Sequence, residues 1–454
     1  MLRLASHELD QWLTSPNRKP LVMRGARQVG KTWLVRDFAK RHRLALIELN
    51  FERNPNWQDL FAPNAPKEVI ANLEAELGIE IAPQAACLFL DEIQAAPKLF
   101  AKLRWFKEDM PELAVIAAGS LLEFALNQYQ YSMPVGRIAY FYLEQLSFFE
   151  FLLACGQEAL YRKLKDLKID QGIPTSLHEK CMAHYRSYCL IGGMPEAVQA
   201  WIDRHDPQQC AKIQQDLLAT YRDDFFKYGT AIDARLLSKI LLAVAEQIGS
   251  KFVYSRVDPS APSTAVKKAL SLLCQARVCS KVVHTSGNGL PLGAQSNEKF
   301  FKALMLDIGL IATQLGLASL KQSQLDEVLF SNKGGVAEQF VGQQLRAAQS
   351  PLSDPLLFYW QRTGGRLGEI DYILQYADRV IPVEVKSGAS GSMKSLHQFM
   401  AEKKHALAVR FGANPPALEE IKLKTTAGEL ANYRLLSLPL YLAEHVEAFI
   451  AQAL

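Results

Sequence analysis

The chain has 454 residues, 49% of them hydrophobic and 22% charged, with a net charge of +4. That length exceeds what one hydrophobic core usually supports, so two or three domains are expected, and the composition excludes a disordered chain. A charge this small for the length announces no nucleic-acid partner, and the longest apolar runs, Ala86 to Leu90 and Ala114 to Ala118, fall short of the ~20 residues that span a bilayer.

The N-terminus, Met1 to Trp12, alternates apolar and charged residues at helical spacing without an apolar segment ahead of a cleavage site, so no signal peptide is expected. Seven cysteines, an odd number with no C-x-x-C pair, disfavour both zinc and a disulfide framework. With Cys87 inside an apolar strand, they point to a reducing cytoplasm.

Pro20 to Arg24 reads as a short buried strand, Gly25 to Gly30 as a turn and Lys31 to His42 as an amphipathic helix. Gly25, Gly30, Lys31 and Thr32 fit G-x-x-x-x-G-K-[ST] in the strand-loop-helix context that makes it a phosphate-binding loop. Backbone amides of Gly25, Ala26, Arg27, Gln28, Val29 and Gly30 are then expected to cradle the phosphates of ATP at a helix N-terminus. Lys31 adds a point charge, and Thr32 a hydroxyl for Mg²⁺.

The strand Ala86 to Leu90 ends in Asp91-Glu92, which supplies a carboxylate for the magnesium (Asp91) and one to polarise the attacking water (Glu92). Ala114 to Ala118 is a further strand ending in Gly119-Ser120. Ser120 is either a γ-phosphate sensor or the N-cap of a helix over Leu121 to Asn127. Arg137, ahead of the strand Ile138 to Leu143, is either an arginine finger, in cis or in trans, or a plain surface arginine.

Arg24-Gly-Ala-Arg-Gln-Val-Gly-Lys-Thr32, Leu88-Phe-Leu-Asp-Glu-Ile-Gln94, Ala118-Gly-Ser120 and Gly136-Arg137 with Leu146-Ser-Phe-Phe-Glu-Phe151 resemble the prokaryotic AAA-type ATPases of the archaeal-ATPase branch over nearly the whole chain. The resemblance implies an ATPase module followed by a helical region, a winged-helix-like segment and a C-terminal domain of poorly defined function.

From Phe148 to Phe226 the pattern is helical, with breaks near Gly172 to Pro174 and Gly192 to Pro195, as in a helical lid. Asp223-Asp224 reads as helix-surface acids more readily than as a metal pair. Helices are expected at Asp233 to Gln247 and Ser263 to Leu273, then a strand over Arg277 to His284 and a turn over Ser286 to Gly289. This is a winged-helix-like order, and Lys267, Lys268, Arg277 and Lys281 form a modest basic set that meets either phosphates or solvent.

The last segment carries a helix over Gly334 to Leu345 with Glu338 among apolar neighbours. Strands follow at Leu357 to Trp360, Glu369 to Leu374 and Val380 to Lys386. Glu384 and Lys386 share one face of the last of these. Asp371 and Glu384 suit a second Mg²⁺ or a Mn²⁺, Lys386 an activated water or the phosphate, and Glu338 an assisting role. Glu338, Asp371 and Glu384-Val-Lys386 resemble the PD-(D/E)XK nuclease core, with Ile370 standing where that core has a proline. An ordinary amphipathic strand is the alternative.

The expected architecture is α/β: an AAA-type P-loop ATPase with a parallel sheet over 1–150, a helical lid over 151–230, a winged-helix-like segment over 231–295 and a nuclease-like α/β domain over 296–454. The expected activity is Mg²⁺-dependent ATP hydrolysis coupled to a nucleic-acid-acting C-terminal domain. The alternative is a nucleotide switch that binds a protein partner through a non-catalytic C-terminal domain. The partners are thus ATP, with DNA, another nucleic acid or a protein, and no membrane. The oligomeric state stays open.

Overall fold

In a computed structural model of the chain, residues 1–120, 122, 136–227, 234–320, 334–362, 368–388 and 392–454 are described. The first five strands are β1 (Leu21–Arg24), β2 (Ala45–Asn50), β3 (Ala86–Asp91), β4 (Ala114–Gly119) and β5 (Ala139–Tyr142), ordered β2-β3-β4-β1-β5. All of their pairings are parallel. Strands β3 and β4 are buried at every position, as a parallel sheet covered on both faces requires.

Alternate side chains enter different cores: Leu21, Met23, Cys87, Phe89, Ile116 and Ala118 pack on one face, and Val22, Leu88, Leu90, Val115 and Ala117 on the other. The period of two in a strand separates them. Helix Lys31–Arg41 is capped by Gly30 and follows β1 through the loop from Gly25, so the phosphate loop lies at the C-terminal edge of the sheet.

The middle of the chain is helical, as its pattern predicts: Phe148–Ala154, Glu158–Lys165, Thr175–Ile191, Pro195–Arg204 and Pro207–Lys227. The first of these opens with a full capping box, Ser147 Oγ accepting from the Glu150 amide and Glu150 from the Ser147 amide.

The expected helix pair and hairpin form at Ala234–Glu246, Ser263–Gln275, β6 (Cys279–Thr285) and β7 (Ser296–Met305), but the hairpin does not stand alone as a wing. Strand β6 also pairs in parallel with β8 (Leu357–Gln361). With β9 (Glu369–Tyr376), β10 (Arg379–Val385), β11 (Leu407–Gly412), β12 (Ala417–Lys424) and β13 (Leu430–Pro439), the hairpin completes an eight-stranded sheet, ordered β12-β13-β11-β10-β9-β8-β6-β7. The expected boundary at 295/296 therefore cuts a hairpin, and the strand of the winged-helix-like segment belongs to the C-terminal sheet. The cause is a second partner for β6, found 70 and more residues downstream, which local pattern cannot announce.

The two halves meet through buried and half-buried polar contacts. The Tyr142 amide donates to the Pro351 carbonyl at 2.6 Å, and the Phe148 amide to Gln344 Oε1 at 2.7 Å. Glu144 lies half-buried between Arg277 and Arg346, which donate to its Oε1 at 2.8 and 3.0 Å. Among the described residues, no helix is long and apolar enough to cross a membrane.

Candidate functional site at the phosphate loop

The turn after β1 is built for close approach. A side chain on Gly25 would place its Cβ 2.5 Å from the Leu143 carbonyl oxygen, and Gly30 sits at φ +97°, a conformation L side chains rarely adopt. Lys31 is buried, and its ammonium donates to the carbonyls of Gly25 and Ala26 at 3.0 and 2.9 Å. Burial brings its pKa down to about 8. Those two carbonyls hold the ammonium at the mouth of the loop, where an incoming phosphate would exchange for them.

Thr32 and Asp91 come together as the sequence predicts, Thr32 Oγ1 lying 3.4 Å from Asp91 Oδ2. The parallel register brings Asn50 level with Asp91, and Asn50 donates to Asp91 Oδ2 at 3.2 Å. Burial and the neighbouring Glu92 push the Asp91 carboxyl up to about 6. A hydroxyl and a carboxylate facing each other are the hard oxygen donors that Mg²⁺ selects, so the residues present fit that ion.

Glu92 follows at φ +51°, outside the strand and in the left-handed region, so its carboxylate leaves the sheet and is met by the Gln94 amide. A non-glycine residue held there carries local strain of the kind found at active sites. Ser120, one residue beyond β4, is buried, and its Oγ has no hydrogen-bond partner among the described residues. The helix expected after it lies, save Leu122, outside those residues. An unsatisfied buried hydroxyl beside the Asp91 strand tip suits a sensor of the γ-phosphate.

Arg137 is not brought to this site. Position 139 pairs with position 21, so Arg137 precedes the N-terminal edge of the sheet, opposite the phosphate loop, and it is paired with Glu108 at 2.7 Å. An arginine finger in cis is thereby ruled out by geometry.

Other residues surround the loop that sequence reasoning left without a role. Arg3 donates to the Val29 carbonyl at 2.7 Å, and Tyr221 to the Arg27 carbonyl at 3.0 Å. Asp224 accepts from Arg27 at 2.8 Å, so this half of the acidic pair is a partner of the loop and no metal ligand. Asn50 and Gln94 were detectable as polar residues ending β2 and following the buried β3. Arg3 carried no signal, because nothing local marks its partner 26 residues away.

In the C-terminal half the four expected residues do converge. Glu338 and Asp371 both accept from the ammonium of Lys302, at 3.0 and 3.3 Å, while Lys386 donates to Glu384 at 2.5 Å. Arg277 of the basic set is spent on Glu144 and Asp354, and Lys281 lies over the Phe301 ring, so this pair offers no free phosphate-binding surface.

Residues 17–152 match the AAA domain family, 182–321 a domain of unknown function (DUF8612), and 333–427 another (DUF4143). The AAA match, with the five-stranded parallel sheet and the loop just described, supports a nucleotide-binding ATPase of AAA type. Among solved structures, the chain is similar at 12% identity to the ORC1 protein of Aeropyrum pernix in complex with DNA, with 68% of this chain and 90% of that one covered and a TM-score of 0.28. It is also similar at 12% to PCH-2 of C. elegans, covering 43% and 56% with a TM-score of 0.26. No curated protein matches the chain. The C-terminal sheet straddles the two domains of unknown function, since β6 and β7 fall in the first and β8 to β12 in the second.

Proposed function

We propose that the chain is a Mg²⁺-dependent ATPase that works as a nucleotide switch, its C-terminal α/β domain serving as a protein-docking unit without catalysis of its own. The observation that carries the ATPase half is the Thr32 hydroxyl 3.4 Å from the Asp91 carboxylate, directly after the Lys31 loop. Lys31 and the loop amides hold the phosphates, and Thr32 and Asp91 hold magnesium, which when bound supplies charge neutralisation at the β- and γ-phosphates. Glu92 orients and deprotonates water, with Gln94 fixing its carboxylate, and Ser120 contacts the γ-phosphate.

The half-buried Glu144 centre supports coupling between the halves, because Arg3 joins the Val29 carbonyl of the loop to the Glu144 carbonyl. A nuclease reading draws on Glu338, Asp371, Glu384 and Lys386. The presence of Lys302 among those acids favours the switch.

The test is a paired assay of phosphate release and DNA cleavage on wild type, Lys31→Ala, Glu92→Gln and Glu384→Ala. The expected result is phosphate release lost in the first two variants and kept in the third, with no cleavage by any. ATP binding that survives in Glu92→Gln but not in Lys31→Ala separates the two roles. Wild-type release unchanged by Lys31→Ala would refute the ATPase assignment, and cleavage lost in Glu384→Ala would refute the docking role.

A further inference from the structure

The PD-(D/E)XK resemblance implies a divalent cation between Asp371 and Glu384, and three of the four oxygens that would hold it already have partners. Asp371 Oδ1 accepts from Lys302 at 3.3 Å and Oδ2 from the Val385 amide at 2.8 Å. Glu338 Oε2 accepts from Lys302 at 3.0 Å, Glu369 Oε1 is in contact with the same ammonium, and Glu384 Oε1 accepts from Lys386. Glu384 Oε2 is buried without a hydrogen-bond partner among the described residues. Mg²⁺ and Mn²⁺ are hard cations that draw on carboxylate oxygens, and an ammonium already held by Glu338, Glu369 and Asp371 competes for those carboxylates.

Lys302 is 2% exposed. Its three ammonium protons match the three carboxylates around it, and the Tyr359 ring lies 5.5 Å from its nitrogen. A buried lysine is stable only when acids surround it, and buried acids only when a cation does, so each side explains the other. A divalent cation in the same space would be repelled by the ammonium. Lys302 comes from β7 at the sheet edge, whereas the acids come from helix Gly334–Ala347 and β9.

We infer that Lys302 is the resident cation of this cluster, so that the C-terminal sheet holds a closed ion centre in place of a divalent-metal site. The inference deepens the docking role proposed above but concerns the C-terminal half alone, and it stands or falls whether or not the phosphate loop turns over ATP.

The test is titration of the nucleotide-free full chain with Mn²⁺, reading free Mn²⁺ by electron paramagnetic resonance. Wild type and Glu384→Gln are expected to give the same isotherm, any weak binding at Thr32 and Asp91 being common to both. Lys302→Ala is expected to gain one additional Mn²⁺ per chain, lost again when Glu338→Gln is added. A wild-type site that Glu384→Gln abolishes overturns the inference, as does a Lys302→Ala chain that is folded by circular dichroism and gains nothing. The comparison of wild type with Glu384→Gln decides the matter even if Lys302→Ala does not fold.

Discussion

Arg3 donates from Nη1 to the carbonyl of Val29 at 2.7 Å, which pins the far side of the phosphate loop to the beginning of the chain. The same guanidinium donates from Nε to both carboxylate oxygens of Glu150 at 3.1 Å and from Nη2 to the Glu144 carbonyl at 2.6 Å. A planar fork reaches three acceptors that an ammonium cannot reach together. Arg3→Lys is therefore expected to keep the fold and weaken ATP binding about tenfold, an effect of about 1.4 kcal/mol. Arg3→Ala leaves Glu150 buried without its cation and should cost about 3–5 kcal/mol of stability. Calorimetric ATP affinity and urea unfolding of the two variants separate positioning from folding, and unchanged affinity in Arg3→Lys would remove the positioning role.

The pH dependence of turnover follows from Asp91 and Lys31. Burial and Glu92 push Asp91 up to about 6, and burial brings Lys31 down to about 8. Below the first value Asp91 is protonated and loses the charge that holds magnesium; above the second Lys31 is neutral and loses the charge that holds phosphate. The profile of kcat/KM for ATP should fall on both sides of that window, since it reports the free enzyme. The raised value of Asp91 also means that its ionised form costs stability at neutral pH, a cost relieved as pH falls through about 6. Asp91→Asn is thus expected to abolish turnover while raising the melting temperature of the nucleotide-free chain.

Glu144 carries the opposite sign. Burial works against its ionised form, yet Arg346 and Arg277 hold the carboxyl at about 2. A folded value below the ordinary 4.5 contributes stability that is fully present above 4.5 and disappears as pH falls towards 2. Glu144→Gln should lower stability at pH 7 by about 3 kcal/mol, and the gap from wild type should close between those two pH values. Denaturant midpoints for both proteins across that range give the comparison.

Gly25 has no room for a methyl group. With the Leu143 carbonyl 2.5 Å from a Cβ at that position, Gly25→Ala must push β1 and the residues after β5 apart. Overpacking of this kind costs about 1–3 kcal/mol, and the displaced loop should lose most of its ATP affinity. Thermal unfolding and fluorescent-nucleotide binding would reveal both losses.

The ATPase half was legible because its signals are local. The elements expected around Lys31 and Asp91 and the strand before Ser120 occur within a residue or two, as do the strands holding Asp371 and Glu384 and the helix holding Glu338. Whatever depends on a distant partner stayed hidden. Lys302 lies in a strand among apolar residues, and only the pairing of β6 with β8 sets it beside acids 36 and 69 residues further on. Arg137 misled for a related reason: glycine followed by arginine marks a turn, but which sheet edge that turn occupies depends on strand order. Arg277 of the basic set is a further case, since it finds its acids 133 residues back and 77 ahead.

The insertion of β6 between β7 and β8 has a consequence for how this protein can be divided. Separating the chain anywhere between residues 306 and 356 would strip two strands from one fragment and leave β8 as a raw edge, its amides and carbonyls open to any passing strand. Removing residues 357–454 would in turn leave β6 with an open edge.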